Sequence, residues 1–487
     1  MTSNTLTHPS SARAALTRRH QAPPPPSLSE RLATDSDPPA AIRAYAKSLN
    51  SGAYLGLAGE RWVCADSEHA VLVLGAPRSG KTSAVVIPAI LAYPGPLVST
   101  STKPDVQTAT ARARADLGTV WSFDPTGEHQ PPPGAQRLSW SPVAAATSWD
   151  DALHTARAMT LAAPAVGRGT QHEQHWSERA AALLAPLLHA AHTDQRQIDT
   201  VLTWVLRHEL EEPGEILDQA GAEVACDVLL GIARTDQRER SSIFSAAAGV
   251  LALYNTDAAR NAAATPNFSP DDFVAATDTV FITAPAHRQA LCAPLVVGLL
   301  DQIRHATYRR AAAHPTDTPV FFCLDEVANI APIHDLPALV SEAGGQGLHV
   351  LACLQDLSQA RTRWGDHAAE GFLTLFQTKL VLPGISDPRT LEALSLVLGE
   401  IDRPMRTQSA GISHARTSGW FQPTTTTRSQ SVGYNTARQR RLPPGEIAAV
   451  PRDRALLVTG ARHGRIRLTP YHQHEPWRSI ALPRDIL

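Results

Sequence analysis

One eight-residue segment has the residue types and the spacing that a phosphate chain requires. Residues 75–82 read Gly-Ala-Pro-Arg-Ser-Gly-Lys-Thr and match the pattern G-x-x-x-x-G-K-[ST] at every position. Glycines let the backbone curve around phosphates with its N–H groups pointing inward, and the following helix adds its positive N-terminus. We predict that this loop binds ATP with Mg²⁺ through Gly75, Ala76, Pro77, Arg78, Ser79, Gly80, Lys81, Thr82 and Ser83.

Two residues of this segment have specific roles. Lysine is a compact charge on a flexible stem, so Lys81 is expected to reach the β- and γ-phosphates and to act in catalysis. The Thr82 hydroxyl is expected to be a ligand of Mg²⁺. A glycine-rich turn that matches by chance is disfavoured, because an apolar strand precedes the segment and a helical run follows it.

A second candidate is an apolar run that ends in two acids. Residues 320–326 read Val-Phe-Phe-Cys-Leu-Asp-Glu. In such a strand the first carboxylate can hold the water shell of Mg²⁺, and the second can polarise an attacking water as a general base. We therefore predict that Asp325 serves the metal and that Glu326 is catalytic. This pattern is common in isolation, and the phosphate-binding segment is what favours hydrolysis here.

A glutamine follows the apolar run of residues 348–354. A glutamine at a strand tip beside the γ-phosphate can sense hydrolysis and report it to neighbouring elements. We count Gln355 among the catalytic residues on this basis. The alternative is a capping glutamine without such a role.

The elements that position these residues follow from short, continuous apolar runs. Such runs occur at residues 71–74, 96–99, 119–123, 280–283, 320–324 and 348–354, and they predict strands buried on both faces of a parallel sheet. Between 145 and 270 the apolar residues recur at helical spacing. The sequence therefore predicts an α/β fold, in which one sheet is built from two halves separated by an all-helical insertion. Residues 454–459 and 465–469 predict a C-terminal β hairpin.

The composition changes along the chain divide it into six predicted segments. Residues 1–48 are rich in proline and small polar residues, which predicts a disordered tail because little apolar surface can be buried. The other segments are 49–144, the first half of the ATPase domain; 145–270, the helical insertion domain; 271–401, the second half of the ATPase domain; 402–441, a basic mobile loop; and 442–487, a C-terminal β extension.

Charge and cysteine usage limit the function classes. The net charge is −2, so the chain is no polycation and any DNA contact must be local. Residues 402–441 hold seven arginines against one acid, and they predict either a DNA-binding loop, with Trp420, Phe421 or Tyr434 to stack on bases, or a solvated linker. Five widely spaced cysteines predict neither a disulfide framework nor a zinc site, which suits a reducing cytoplasm.

No stretch approaches the roughly 18 uninterrupted apolar residues that a bilayer span needs. We therefore expect a cytoplasmic protein without a transmembrane segment, with peripheral association at the inner face of the cell membrane as the alternative.

These motifs resemble a known family, the coupling ATPases of conjugation and type IV secretion, called TraG or TraD proteins, which are relatives of the FtsK and HerA DNA pumps. The likeness covers most of residues 70–470. It rests on residues 75–82, on Ser-Phe-Asp-Pro-Thr-Gly at 122–127, and above all on Leu-Asp-Glu-Val-Ala-Asn-Ile-Ala-Pro-Ile at 324–333.

The resemblance implies a RecA-like P-loop NTPase sheet interrupted by an all-helical domain. It also implies a homohexameric ring with ATP between subunits and DNA in the channel. The implied partners are a relaxase-DNA complex, the type IV secretion components and a TraM-type recognition partner.

The sequence departs from the family pattern in two places. Family members usually begin with transmembrane helices, which this sequence lacks, so we expect either that a partner protein supplies the membrane anchor or that this is a soluble variant. The arginine that usually reaches the ATP of the neighbouring subunit corresponds to Gly344, so Arg361 and Arg363 are the nearest candidates for that role.

Two functions from different classes follow. The first is a ring motor that hydrolyses ATP to pump DNA during conjugative transfer. The second is a nucleotide-dependent receptor for a DNA-relaxase complex, with a weak or regulatory ATPase. A small-molecule kinase is disfavoured, because Glu326 beside Asp325 suits the activation of water.

Overall fold

The computed structural model describes residues 42–44, 46, 51–164, 171–315, 317–416 and 424–481. Their strands form one twelve-stranded sheet and one two-stranded ribbon. The strands are β1 Ser51–Ala58, β2 Arg61–Asp66, β3 Val71–Leu74, β4 Leu97–Ser101, β5 Val120–Phe123, β6 Ala135–Arg137, β7 Thr279–Thr283, β8 Val320–Leu324, β9 Leu348–Leu354, β10 Thr378–Val381, β11 Glu400–Arg416, β12 Thr424–Arg440, β13 Arg454–Thr459 and β14 Arg462–Arg467.

The helices lie between and beside these strands. The α-helices are α1 Ile87–Ala92, α2 Asp105–Ala115, α3 Pro142–Ala145, α4 Trp149–Ala162, α5 Gln171–Thr193, α6 Ile198–Arg207, α7 Glu211–Gln219, α8 Glu223–Ala233, α9 Gln237–Val250, α10 Asp257–Ala264, α11 Pro270–Ala275, α12 Gln289–Ala313, α13 Val327–Ile330, α14 Leu336–Glu342, α15 Leu357–Trp364, α16 Asp366–Leu375, α17 Pro388–Leu398, α18 Pro444–Ala448 and α19 Trp477–Ala481. A π-helical turn spans Lys81–Val86, and 3-10 turns span Ala252–Asn255 and Ala343–Gln346.

The large sheet has the strand order β2-β1-β14-β13-β10-β3-β9-β8-β4-β7-β5-β6. Neighbouring strands pair in parallel along the part β10-β3-β9-β8-β4-β7-β5-β6 of this order. Beyond β10, the strands β13, β14, β1 and β2 extend the sheet by antiparallel pairing. Every residue of β3, β4, β8 and β9 is buried, since helices cover both faces of the sheet. The predicted α/β sheet and C-terminal hairpin are confirmed.

Over residues 149–164 and 171–275, which the structure describes, all elements are helical. Helix α4 connects this helical region to the sheet. It packs on α5 within the region and on α12, the helix that precedes β8. A capping box starts α4: the hydroxyl of Ser148 accepts the N–H of Asp151 at 3.1 Å, and the Asp151 carboxylate accepts the N–H of Ser148 at 3.2 Å.

In the described part of the predicted mobile loop at 402–441, residues 402–416 and 424–440 form paired strands instead. Strands β11 and β12 pair without interruption from Glu400↔Arg440 to Arg416↔Thr424. This segment has few apolar residues because it has almost no core to fill. Backbone hydrogen bonds and β-branched threonines hold the ribbon instead.

The predicted disordered tail also differs in part. Ile42 and Ala46 are helical and buried, and the Arg43 guanidinium donates to the carbonyl of Ala113 at 3.4 Å. These three residues are therefore held against the folded part of the chain. For residues 1–41, 45, 47 and 48 the prediction lies outside the described residues.

A buried histidine on β9 gives the fold a pH dependence. His349 lies beside the ring of Tyr93, and burial lowers its pKa from 6.5 to about 4. Between these values the unfolded chain binds a proton that the folded chain does not bind, so stability falls as the pH falls from 6.5 to 4. At pH 5 the loss is about 2 kcal/mol.

We expect His349→Leu to lose less stability than the natural chain between pH 7.5 and pH 5, as measured by urea denaturation at both values. The exposed His334 provides the matched control, because His334→Leu should lose as much free energy of unfolding between pH 7.5 and pH 5 as the natural chain does. Equal losses in the natural chain and His349→Leu would contradict this assignment.

Candidate functional site

The phosphate-binding segment forms a tight loop between β3 and the helical turn that begins at Lys81. A Cβ atom at Gly75 would lie 2.5 Å from the Ser79 hydroxyl and 2.8 Å from the Cβ of Leu382, so only glycine fits there. Gly80 and Arg78 have φ values of 95° and 64°, which curve the backbone back on itself. The N–H of Gly75 donates to the carbonyl of Leu354 at 3.2 Å, which fixes the loop to β9.

Lys81 is buried inside the curve of this loop. Its ammonium donates to the carbonyl of Gly75 at 2.5 Å and to that of Ala76 at 3.3 Å. The π-helical turn then passes into α1 just before Pro88, a residue that has no N–H for helical bonding. The loop thus presents a positive charge and a helix N-terminus on one side, which is the arrangement that binds phosphate.

Thr82 and Asp325 meet although they are far apart in sequence. The Thr82 hydroxyl donates to one carboxylate oxygen of Asp325 at 2.7 Å. The other oxygen, Oδ1, is buried and has no hydrogen-bond partner among the described residues. Burial raises the pKa of Asp325 to about 6, although the Thr82 hydrogen bond opposes this shift. A hydroxyl beside an unpartnered carboxylate oxygen fits the ligand preference of Mg²⁺.

Glu326 follows at the end of β8 with an unusual backbone. Its φ and ψ are 53° and 46°, the left-handed region that non-glycine residues rarely adopt. This conformation turns the chain sharply into α13. The Glu326 carboxylate accepts the side-chain amide of Asn329 at 3.4 Å, so a residue of α13 holds this side chain.

Gln355 lies at the end of β9, the strand between β3 and β8. It therefore lies between the phosphate-binding loop and the paired acids. Its N–H donates to the side-chain carbonyl of Gln359 at 2.8 Å, which fixes the backbone where α15 begins. The structure thus brings Lys81, Thr82, Asp325, Glu326 and Gln355 to the carboxyl edge of three neighbouring strands.

Thr100 escaped the sequence analysis, whereas Asp124 belongs to the motif at 122–127 on which the family resemblance rests but was given no role of its own. On β4, the hydroxyl of Thr100 donates to the backbone carbonyl of Asp325 at 3.0 Å and holds the end of β8. On the turn after β5, Asp124 accepts both the N–H of Thr126 at 2.8 Å and that of His129 at 2.8 Å. The available signal for Thr100 was a hydroxyl run, Ser-Thr-Ser at 99–101, inside an apolar strand.

The two candidate arginines are engaged within their own subunit. Arg361 pairs with Asp387 at 2.6 Å, and Arg363 donates to the carbonyls of Leu161 and Pro332 at 3.3 Å each. At Gly344 a Cβ atom would lie 2.4 Å from the carbonyl oxygen of Glu68, so this backbone admits no arginine at that position.

Comparison with known proteins adds to this geometry. Among the described residues, no helix has the length and apolar character needed to cross a bilayer. A search of curated protein sequences finds no match. Solved structures match along most of the chain.

The bacterial conjugative coupling protein TrwB, in its unbound monoclinic form (TrwBdeltaN70), aligns with a TM-score of 0.62 and 18% identity, covering 87% of this chain and 90% of that chain. The plasmid coupling protein TrwB in complex with ADP and Mg²⁺ also has a TM-score of 0.62 at 18% identity, covering 89% and 94%. Its complex with the non-hydrolysable ATP analogue ADPNP has a TM-score of 0.60 at 18% identity, covering 87% and 91%.

This likeness shows that the chain has the mixed α/β fold of TrwB, with a large, mainly parallel sheet and many helices. The family model for type IV secretory system conjugative DNA transfer matches residues 40–475. Because that match includes the sheet, the helical region and the phosphate-binding loop, the chain belongs to the type IV secretory system conjugative DNA transfer family.

Proposed function

We propose that this chain is an ATP-hydrolysing coupling protein that recruits a relaxase-DNA complex and pumps DNA through a type IV secretion system. The hydrogen bond between Thr82 and Asp325 carries this proposal, because it joins the phosphate-binding helix to the acidic strand at one point. Family membership supports the DNA and secretion partners. The TrwB complexes with ADP, Mg²⁺ and an ATP analogue support the nucleotide and the metal.

Each site residue has a distinct proposed role. Residues 75–83 bind the phosphates, with Lys81 reaching the β- and γ-oxygens. Thr82 and Asp325 hold Mg²⁺, which neutralises charge on the phosphate oxygens. Glu326 removes a proton from the attacking water, and Gln355 senses the γ-phosphate from the neighbouring strand. The burial of Asp325 and the fixed backbone of Glu326 support this division of roles.

The proposed assembly is a homohexameric ring with ATP between subunits. Within each subunit, residues 49–144 and 271–401 form the two halves of the ATPase domain, and residues 145–270 form an inserted helical domain. We place the protein in the cytoplasm or at the inner face of the cell membrane.

A second proposed function is a DNA-relaxase receptor with a weak or regulatory ATPase. It is supported by the lack of an assigned arginine that could reach the ATP of a neighbouring subunit. Arg361 and Arg363 are bonded within the subunit, and Gly344 has no room for a side chain. Without a trans-acting arginine, hydrolysis is slower by about a thousandfold or more. Nucleotide would then control assembly of the receptor and would not drive movement.

The rate of ATP hydrolysis separates the two functions. It is measured with single-stranded DNA, with double-stranded DNA and without DNA, each at two salt concentrations. For a motor we expect DNA to raise turnover at least several-fold, and we expect higher salt to reduce this effect because phosphate contacts weaken. Lys81→Ala supplies the background rate. Turnover near that background, indifferent to DNA, would contradict the motor and favour the receptor.

A further inference from the structure

The ribbon of β11 and β12 separates its side chains into two chemically different faces. In an antiparallel pair, directly opposed residues place their side chains on the same side. The register pairs even-numbered residues of β11 with even-numbered residues of β12, as in Arg406↔Tyr434 and Ile412↔Arg428. All even-numbered positions therefore share one face, which we call the basic face, and all odd-numbered positions share the other.

The basic face carries cations, an aromatic ring and apolar groups. Arg406 and Arg428 are exposed, and the rise of the strand between their two pairs places them about 20 Å apart along the ribbon. Tyr434, opposite Arg406, is 75% exposed, and Ile412, opposite Arg428, is 60% exposed. Val432, at 42% exposure, lies between the two pairs.

The opposite face is mostly neutral over the same length. It presents threonine and serine hydroxyls, and Ser409 and Ser431 hydrogen-bond to each other across it at 2.7 Å. The side chains at Thr407 and Thr427 are exposed on this face. A neutral hydroxyl face backing a cationic face indicates that a partner contacts one side of the ribbon.

Ion pairs distinguish the base of the ribbon from its middle. At the base, Arg438 pairs with Glu400 at 2.8 Å and Arg440 pairs with Glu392 at 2.7 Å. No carboxylate pairs with Arg406 or Arg428 among the described residues. The arginines are thus structural at the base and available to an anionic ligand further out.

We propose that the basic face binds single-stranded DNA, with Arg406 and Arg428 contacting phosphates and Tyr434 stacking on a base. Exposed aromatic rings stack on unpaired bases, which duplex DNA does not offer, while spaced arginines follow the phosphate backbone. The inference rests on the proposed function and deepens it, because it assigns the strand type and the place of contact.

The ribbon is fixed to the helix that follows the nucleotide site. The hydroxyl of Ser395 on α17 donates to the carbonyl of Leu442 at 2.8 Å, and the N–H of Arg441 donates to the carbonyl of Gly399 at 2.9 Å. At the other end of α17, the hydroxyl of Thr390 accepts the N–H of Leu357, two residues after Gln355, at 3.1 Å. Single-stranded DNA on the basic face is thereby connected through helix α17 to β9, the β-strand that ends at Gln355.

The test compares two double variants of the full chain that change the net charge equally. Arg406→Gln/Arg428→Gln removes two charges from the basic face, and Thr407→Glu/Thr427→Glu adds two negative charges to the opposite face. Binding of a fluorescent thymidine 30-mer is measured by anisotropy across a salt series, without nucleotide. We expect the arginine variant to bind at least about tenfold more weakly, with a salt slope less steep by about 1.4.

The threonine variant should stay within about twofold of the natural chain and keep its salt slope. Tyr434→Ala should weaken binding by about 5- to 150-fold, which is the range for loss of one stacked base. A 30-base-pair duplex should compete poorly. Equal weakening by both double variants, no weakening by either, or full affinity of Tyr434→Ala would overturn the inference.

The result is distinguishable from the outcome for the proposed function, since binding and turnover are separate readouts. A natural chain that hydrolyses ATP but does not bind the 30-mer overturns the ribbon assignment and leaves the ATPase intact. A chain that binds through the basic face without hydrolysing ATP retains the assignment and overturns the motor. Thermal melting of each variant confirms that these exposed substitutions leave the fold intact.

Discussion

Glu326→Gln is expected to reduce ATP turnover by about 10²- to 10⁴-fold while nucleotide affinity stays within a few-fold of the natural value. Glutamine retains the shape of glutamate and its contact with Asn329, but it cannot accept a proton from water. Lys81, Thr82 and Asp325 keep all their contacts, so phosphate and metal binding persist. Turnover by phosphate release and affinity by titration with a fluorescent ATP analogue separate the two effects.

Glu342→Gln is the matched control, because Glu342 is exposed at the end of α14 and the substitution is the same. It should leave both rate and affinity unchanged. A loss of nucleotide affinity in Glu326→Gln as large as its loss of turnover would instead assign Glu326 to binding. Full turnover in that variant would remove it from the site.

Arg114→Ala is expected to lower the free energy of unfolding by about 3–5 kcal/mol. Arg114 on α2 is fully buried, with its guanidinium donating to the hydroxyl of Thr279 at 2.7 Å and to the carbonyl of Gly95 at 2.7 Å, besides the carbonyl of Tyr93. These bonds join α2 to β7 and to the turn between α1 and β4. The alanine variant leaves buried carbonyls unpaired beside a cavity.

The control lies two residues earlier on the same helix. Arg112 is partly exposed and makes one hydrogen bond, to the carbonyl of Ile480 at 3.2 Å, so Arg112→Ala should cost no more than about 1 kcal/mol. Urea denaturation followed by circular dichroism measures both variants. Equal losses at the two positions would mean that the buried bonds of Arg114 contribute no more than a surface contact.

The parts of the site that are local in sequence were predictable. The loop at 75–82 and the acids at 325–326 each follow a short buried strand, and hydrophobic runs specify such strands directly. The parallel arrangement followed from helices alternating with these runs. Parallel order then brings the strand ends together, which is why separate motifs could be assigned to one site.

Contacts between distant segments were not predictable from local patterns. Nothing near Gly344 in sequence indicates that the carbonyl of Glu68 fills the space beside it, and nothing near Arg361 indicates its pairing with Asp387. The ribbon was missed for another reason: a strand without a buried face has no hydrophobic alternation to detect. The regular pairing of β11 with β12 is known only from the three-dimensional register, which begins at the pair Glu400↔Arg440.

The order of strands in the sheet also determines when the loop at residues 75–82 can take its shape during synthesis. Strand β3 precedes the loop, yet its neighbours are β9 and β10, so Val71 pairs with Leu351 and Thr378. Until the ribosome has released residue 354 both edges of β3 are bare, and the edge that pairs with β10 stays bare until residue 381, so the loop lacks its fixed shape in a shorter chain. A fragment that ends before residue 354, from a stalled ribosome or a premature stop codon, therefore lacks both neighbours of β3 and cannot hold the loop in the shape described above.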